Sequence, residues 1–175
     1  DAHDDQGVKE ARGDRLYRPL KDFLEMDVCK DAKLSWEECL ALRLYTGPMY
    51  MKYNAILRES PQEMIDALCG NRYTTTIHLI VSGIIKISKV QAVPASRVVY
   101  RGLGGRALPK EFFLKDRNGC RGGVEAGFMS TTLDMKVAVD YSGSAQGRRI
   151  VFEIELGKLS TGSDVSFLSQ YPVEK

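Results

Sequence analysis

Three groups of residues in this sequence could do chemistry: an arginine at 101, hydroxyls at 130–132, and glutamates at 153, 155 and 174. Arg101 ends the run Val98-Val99-Tyr100 and is followed directly by Gly102. A guanidinium at a strand end can fork onto a phosphate or hold a neighbouring loop, and a glycine after it lets another group approach the backbone. Ser130, Thr131 and Thr132 follow Phe128. Adjacent hydroxyls there can orient a carboxylate or a sugar hydroxyl. A surface arginine at a turn, and threonines chosen for β propensity, would look the same. The glutamates offer two alternatives. Glu153-Ile154-Glu155 places two carboxylates on one strand face, opposite Phe152 and Ile154, as any half-exposed strand would. Glu174 follows Tyr171-Pro172 after a loop, where reactive groups tend to lie.

Other chemistries are excluded by composition and spacing. His3 and His78 are the two histidines, and Cys29, Cys39, Cys69 and Cys120 contain no C-x-x-C pair, so no metal site is expected. Four cysteines permit two disulfides, but their wide spacing does not ask for them, and buried free thiols are expected. His78 lies in an apolar helical segment and reads as a core residue, which leaves no Ser-His-Asp arrangement. Gly102-Leu103-Gly104-Gly105 lacks the G-x-G-x-x-G spacing, and no G-x-x-x-x-G-K-[ST] occurs, so neither a Rossmann nor a P-loop domain is supported. A net charge of +2 over 175 residues gives no field aimed at nucleic acid, and Arg148-Arg149 reads as an exposed face. No apolar run reaches the ~18 residues of a membrane span. The longest, residues 77–87, is interrupted by His78, Ser82, Gly83 and Lys86. A start at Asp1 without methionine is expected of a processed chain or an excised domain.

The elements that must position these residues fall in two halves. Residues 1–14 are polar and read as a loose or helical lead-in. Leu16, Leu20, Phe23 and Leu24 recur at helical spacing, with Pro19 near the start. Ser35 and Glu38 form the pattern of a capping box, followed by Trp36, Leu40, Leu42 and Leu44, and Gly47-Pro48 ends that segment. Residues 51–58 predict a third helix, and Ser60-Pro61-Gln62-Glu63 another helix start. Ile77, Ile80, Val81, Ile84 and Ile85 have helical spacing, although their β-branching would suit a strand. From Ser96 the character changes. Residues 97–101 predict a strand, 119–127 a glycine-rich loop, 127–132 a short strand, and Asp134 the start of a helix with Val137, Ala138 and Tyr141. Residues 149–156 give the clearest strand of all. Helices first and strands second argue for an α+β or mixed α/β domain, with a helical lead-in and lobe at 1–95 and a β-rich core at 96–175.

Taken in order, these residues resemble the mono-ADP-ribosyltransferase family, marked by an arginine strand, a Ser-Thr-Ser type strand and a late Glu-x-Glu. Val98-Val99-Tyr100-Arg101-Gly102 is similar to the arginine strand, and residues 127–132 to the serine motif, with Thr132 where the family often has serine. Leu44-Tyr45-Thr46-Gly47, with Tyr53-Asn54 and Leu57-Arg58, resembles the helical lead of the arginine-specific, vertebrate-type branch. The resemblance covers roughly residues 40–175. It implies an α+β domain whose helical lobe and mixed β-sheet core are split around an NAD-binding cleft. It implies NAD as substrate, nicotinamide as leaving group, and a protein bearing an exposed arginine as acceptor.

The resemblance also chooses between the carboxylates. In the family the Glu-x-Glu lies one strand beyond the regular strand that holds Glu153 and Glu155, which favours Glu174 as its first glutamate. The second would fall at position 176, one residue past Lys175, so the chain as it stands is expected to bind NAD yet be nearly inactive as a transferase. The simplest expectation is that the natural protein continues; a truncated or split enzyme is the alternative. Further roles follow from the resemblance. Arg101 would contact an NAD phosphate. Gly102 would offer backbone groups to the nicotinamide amide. Ser130 would position the catalytic carboxylate, with Thr131 and Thr132 completing the strand. Phe128 or Tyr141 would border the nicotinamide pocket. Glu174 would orient and deprotonate an acceptor guanidinium. An NAD glycohydrolase, or a degenerate module that binds NAD or protein without turnover, are the alternatives.

Overall fold

The computed structural model describes residues 17–92, 98–104, 107–143, 149–157 and 162–171. The chain is α+β, and divides into two compact units. One is drawn from Asp1–Val93 and Lys158–Lys175, the other from Pro94–Gly157.

The first unit is helical. Its described helices are α1 (Leu20–Leu24), α2 (Asp27–Asp31), α3 (Trp36–Tyr45), α4 (Tyr50–Arg58), α5 (Gln62–Asp66) and α6 (Thr74–Ser88). The capping box holds: the Glu38 N–H donates to Ser35 Oγ at 3.2 Å, and the Ser35 N–H donates to Glu38 Oε2 at 2.8 Å. Two otherwise unpaired donors at the helix start are thereby satisfied. The buried stripe of α3 runs through Cys39, Leu42 and Tyr45, while Trp36 and Leu44 are exposed. The facing stripe of α6 is Ile80, Gly83 and Ile87. Gly83 allows the contact, because an added Cβ would stand 2.7 Å from Leu42 Cδ1. Burial of Leu42 contributes about 2–3 kcal/mol. The strand alternative for this segment therefore fails: fifteen residues carry one apolar face at helical period.

Two sequence expectations are corrected here. His78 is exposed, because it lies off the 80/83/87 stripe of α6. All four cysteines are free, but two of them, Cys69 and Cys120, are exposed. Cys29 and Cys39 are buried as expected. Burial, with Cys29 close by, pushes the Cys39 thiol up to about 12. At neutral pH it behaves as a small hydrophobe, not a nucleophile.

A polar tie crosses the α3–α6 packing. Glu38 is 4% exposed, and its carboxylate accepts from Ser82 Oγ at 2.6 Å and from Lys86 Nζ at 2.7 Å as well as from Ser35. Burial works against the charge, but the bonds from Lys86, Ser82 and Ser35 outweigh it and hold Glu38 below the ordinary carboxylate value.

The second unit contains β1 (Val98–Gly102), a single 3-10 turn (Lys110–Phe113), α7 (Met135–Tyr141) and β2 (Val151–Glu155). β1 and β2 pair antiparallel, with Arg101 opposite Phe152 and Gly102 opposite Val151. Phe152 stacks on Phe112, with ring centroids 5.9 Å apart, and Glu153 and Glu155 point to solvent. The expected strand at 127–132 is reduced to one antiparallel bridge, between Thr132 and Tyr100. Among the described residues, no helix is long and apolar enough to cross a membrane, and no group of three or more His, Cys, Asp or Glu could hold a metal ion.

The lowered Glu38 value sets a sign for pH dependence. Its contribution is complete above the unfolded carboxylate pKa and is lost as pH falls through the lower folded value. The thermal midpoint should fall between roughly pH 5 and pH 3, and Glu38→Gln should flatten part of that fall. Lys86→Met should cost about 1–2 kcal/mol near neutral pH, a value reduced by the partial exposure of Lys86. Identical pH profiles for wild type and Glu38→Gln, in differential scanning fluorimetry, would contradict this role.

Candidate active site

β1 is flanked on both edges. One edge pairs with β2. On the other, the Tyr100 N–H donates to the Thr132 carbonyl at 2.7 Å, and the Thr132 N–H returns a bond to the Tyr100 carbonyl at 2.9 Å. This reciprocal pair of hydrogen bonds fixes the register of the hydroxyl segment against the arginine strand. Arg101 adds a third link, its Nη1 donating to the Ser130 carbonyl at 2.8 Å. The arginine thus holds a neighbouring segment, one of the two tasks open to a strand-end guanidinium.

The hydroxyl segment is continued into a helix by local capping. Thr132 Oγ1 accepts from the Asp134 N–H at 3.1 Å, and Asp134 Oδ1 accepts from the Lys136 N–H at 2.8 Å. Asp134 is the N-cap of α7, as the sequence indicates. α7 then lies against β1. At Gly102 an added Cβ would collide with the Ala138 carbonyl and stand 2.6 Å from the Ser142 nitrogen. Both are backbone atoms and cannot swing aside, so no larger residue fits. The Gly104 N–H donates to the Tyr141 carbonyl at 3.2 Å, and the Leu103 N–H to the Ile150 carbonyl at 3.0 Å. Ala138 and Ser142 are almost completely buried at this contact.

The sequence-derived site residues therefore divide. Arg101, Gly102, Ser130 and Thr132 are brought together by β1 and its bridge. Ser130 and Thr131 are exposed, and Phe128 is half-buried nearby in sequence. Tyr141 is 45% exposed at the end of α7. Glu174 lies outside the described residues. Glu153 and Glu155 occupy the outward face of β2. Sequence reasoning missed Tyr100, whose backbone carries the bridge, and the dependence of β1 on α7. The available signal for the second was a glycine directly after a strand-end arginine, with a small residue, Ala138, in the following helix.

No curated protein and no solved structure matches the chain significantly. The family model described as ADP-ribosyltransferase exoenzyme matches residues 24–175, most of the chain.

Because Gly102 is fixed by backbone atoms, Gly102→Ala should lower unfolding stability by about 2–3 kcal/mol, in the range of overpacked cores. Urea unfolding followed by circular dichroism measures it. A change within ±0.5 kcal/mol would mean that β1 and α7 do not meet this closely.

Proposed function

The chain belongs to the ADP-ribosyltransferase exoenzyme family, whose members take NAD as substrate, and from that premise we propose that it modifies a protein arginine. The observation that carries the reading is the Arg101–Ser130 tie beside the Tyr100–Thr132 bridge. It supports a preorganised polar edge made of the residues that the family's arginine and serine motifs bring to this sequence. Preorganisation matters because donors fixed before substrate arrives need no reorganisation as charge develops.

The roles are these. Arg101 directs positive charge at an NAD phosphate while its bond to Ser130 restrains the guanidinium. Gly102 and the adjoining backbone meet the nicotinamide amide, and Ser130 and Thr132 hold the ribose side. Thr131, Phe128 and Tyr141 border the bound nucleotide. In the reaction, the bond between the ribose anomeric carbon and the nicotinamide nitrogen breaks, and its electron pair leaves with neutral nicotinamide. The anomeric carbon becomes cationic in character, and a carboxylate stabilises it as in glycoside hydrolysis. A guanidinium nitrogen of the acceptor attacks that carbon and gives up its proton to Glu174. A glutamate there is what the resemblance associates with arginine acceptors.

Arg101→Lys isolates the arginine's part, since it keeps the charge and loses the fork. NAD affinity by calorimetry should fall at least ~10-fold, about 1.4 kcal/mol. Unchanged affinity would remove Arg101 from the phosphate.

Incubation of the natural protein with NAD and an arginine-containing acceptor, followed by mass spectrometry, tests the reaction itself. The expected outcome is one ADP-ribose added at arginine with equimolar nicotinamide. Free ADP-ribose alone would make the protein a glycohydrolase, and NAD binding without nicotinamide release would make it a binding module.

A further inference from the structure

The Glu153-Ile154-Glu155 run has no part in the proposed reaction, yet it lies on a strand whose outer edge is open. Hydrogen-bonding direction alternates along a strand, and one observation fixes it here. Both backbone groups of Tyr100 are committed to Thr132. Val99 and Arg101 therefore turn theirs toward β2, where they stand opposite Ile154 and Phe152. On β2 this leaves the N–H and carbonyl groups of Val151, Glu153 and Glu155 pointing away from β1. Among the described residues β1 is the only strand paired with β2, and nothing bonds these outward groups. Neither a proline nor a bulge interrupts Val151–Glu155, so the edge is intact along its length.

The side chains say what can lie there. Glu153 and Glu155 are exposed on one face and alike in sign. A residue directly across from each on an added strand stands ~5 Å away, where lysine or arginine pairs with it and an acid repels it. On the opposite face Phe152 and Ile154 are half-buried, and Phe152 already stacks on Phe112. Apolar residues at the intervening positions of an added strand extend that surface. A second copy of the chain fits less well. Antiparallel self-pairing about Glu153 or Ile154 sets glutamates opposite one another. Self-pairing about Phe152 gives Glu155 an Arg149 partner but leaves Glu153 against Val151.

We propose that β2 is a docking edge for an extended segment of another protein in which basic and apolar residues alternate, added as a further strand through main-chain hydrogen bonds. The edge belongs to the second unit alone and does not depend on the reaction with NAD.

The test titrates isotope-labelled protein with an end-blocked peptide of alternating lysine and valine, and follows amide hydrogen exchange residue by residue. A matching peptide of glutamate and valine is the control. The lysine peptide should bind with a Kd of about 1 mM or tighter. It should slow exchange at Val151, Glu153 and Glu155 at least tenfold and leave Phe152 and Ile154 unchanged, since those amides already face β1. The glutamate peptide should bind at least tenfold more weakly. In the double variant Glu153→Lys/Glu155→Lys the preference should reverse, which also shows that the variant folds. No binding of the lysine peptide overturns the proposal, as does slowed exchange without the alternation. Equal binding of the two peptides overturns the assigned chemistry of the partner. Concentration-dependent protection of the same amides without peptide assigns the edge to a second copy and overturns it as well.

Discussion

Much of the second unit depends on one strand having three neighbours at once. β1 is paired with β2 along one edge, bridged to Thr132 on the other, and pressed against α7 at Gly102. Each contact restricts a different freedom. The β2 pairing sets which way the Arg101 side chain points, since alternate residues of a strand face opposite sides. The Thr132 bridge sets the height of the hydroxyl segment. The glycine contact sets how near the helix can come. A guanidinium aimed by a strand with all three fixed loses little freedom on meeting an anion, which is how preorganisation converts geometry into affinity.

The helical unit works by a different device, polar ties that run between elements. Glu38 on α3 accepts from Ser82 and Lys86 on α6, and Arg43 on α3 donates to the carbonyls of Leu168 and Ser169. Both charges are satisfied by several short bonds, the condition under which a buried charge is tolerated. The apolar contacts between these elements are non-directional and would permit sliding. The ties admit one register only.

Local signals made much of this legible in the sequence. The Ser35–Glu38 box and the Asp134 cap each depend on neighbours within four residues and form as read, and the alternation of the strand read at 149–156 survives over Val151–Glu155. The α+β class followed from their order. What was illegible depends on distant partners. The strand expected at 127–132 shrinks to a bridge because β1 pairs with that segment only at Thr132. His78 belongs to an apolar helix, but burial there follows the three positions that face Leu42 and its neighbours. Arg43 sits in an apolar helical run where nothing local marks it, since the carbonyls that its guanidinium binds lie more than a hundred residues away. Cys69 and Cys120 are exposed for the same reason: spacing says how cysteines could pair but not which surface covers them. For the candidate site, Arg101, Gly102, Ser130 and Thr132 were singled out by motif order, and β1 and its bridge do bring them together, whereas the backbone role of Tyr100 left no local mark.

The central claim is that NAD engages the edge formed by Arg101, Gly102 and residues 130–132. The most direct measurement is a titration of isotope-labelled protein with NAD, followed by amide chemical shifts. The expected result is that the amides of Arg101, Gly102, Ser130, Thr131 and Thr132 move first and saturate together, with those of α6 unchanged. Shifts confined to the helical unit, with the β1 and 130–132 amides still in place, would contradict it.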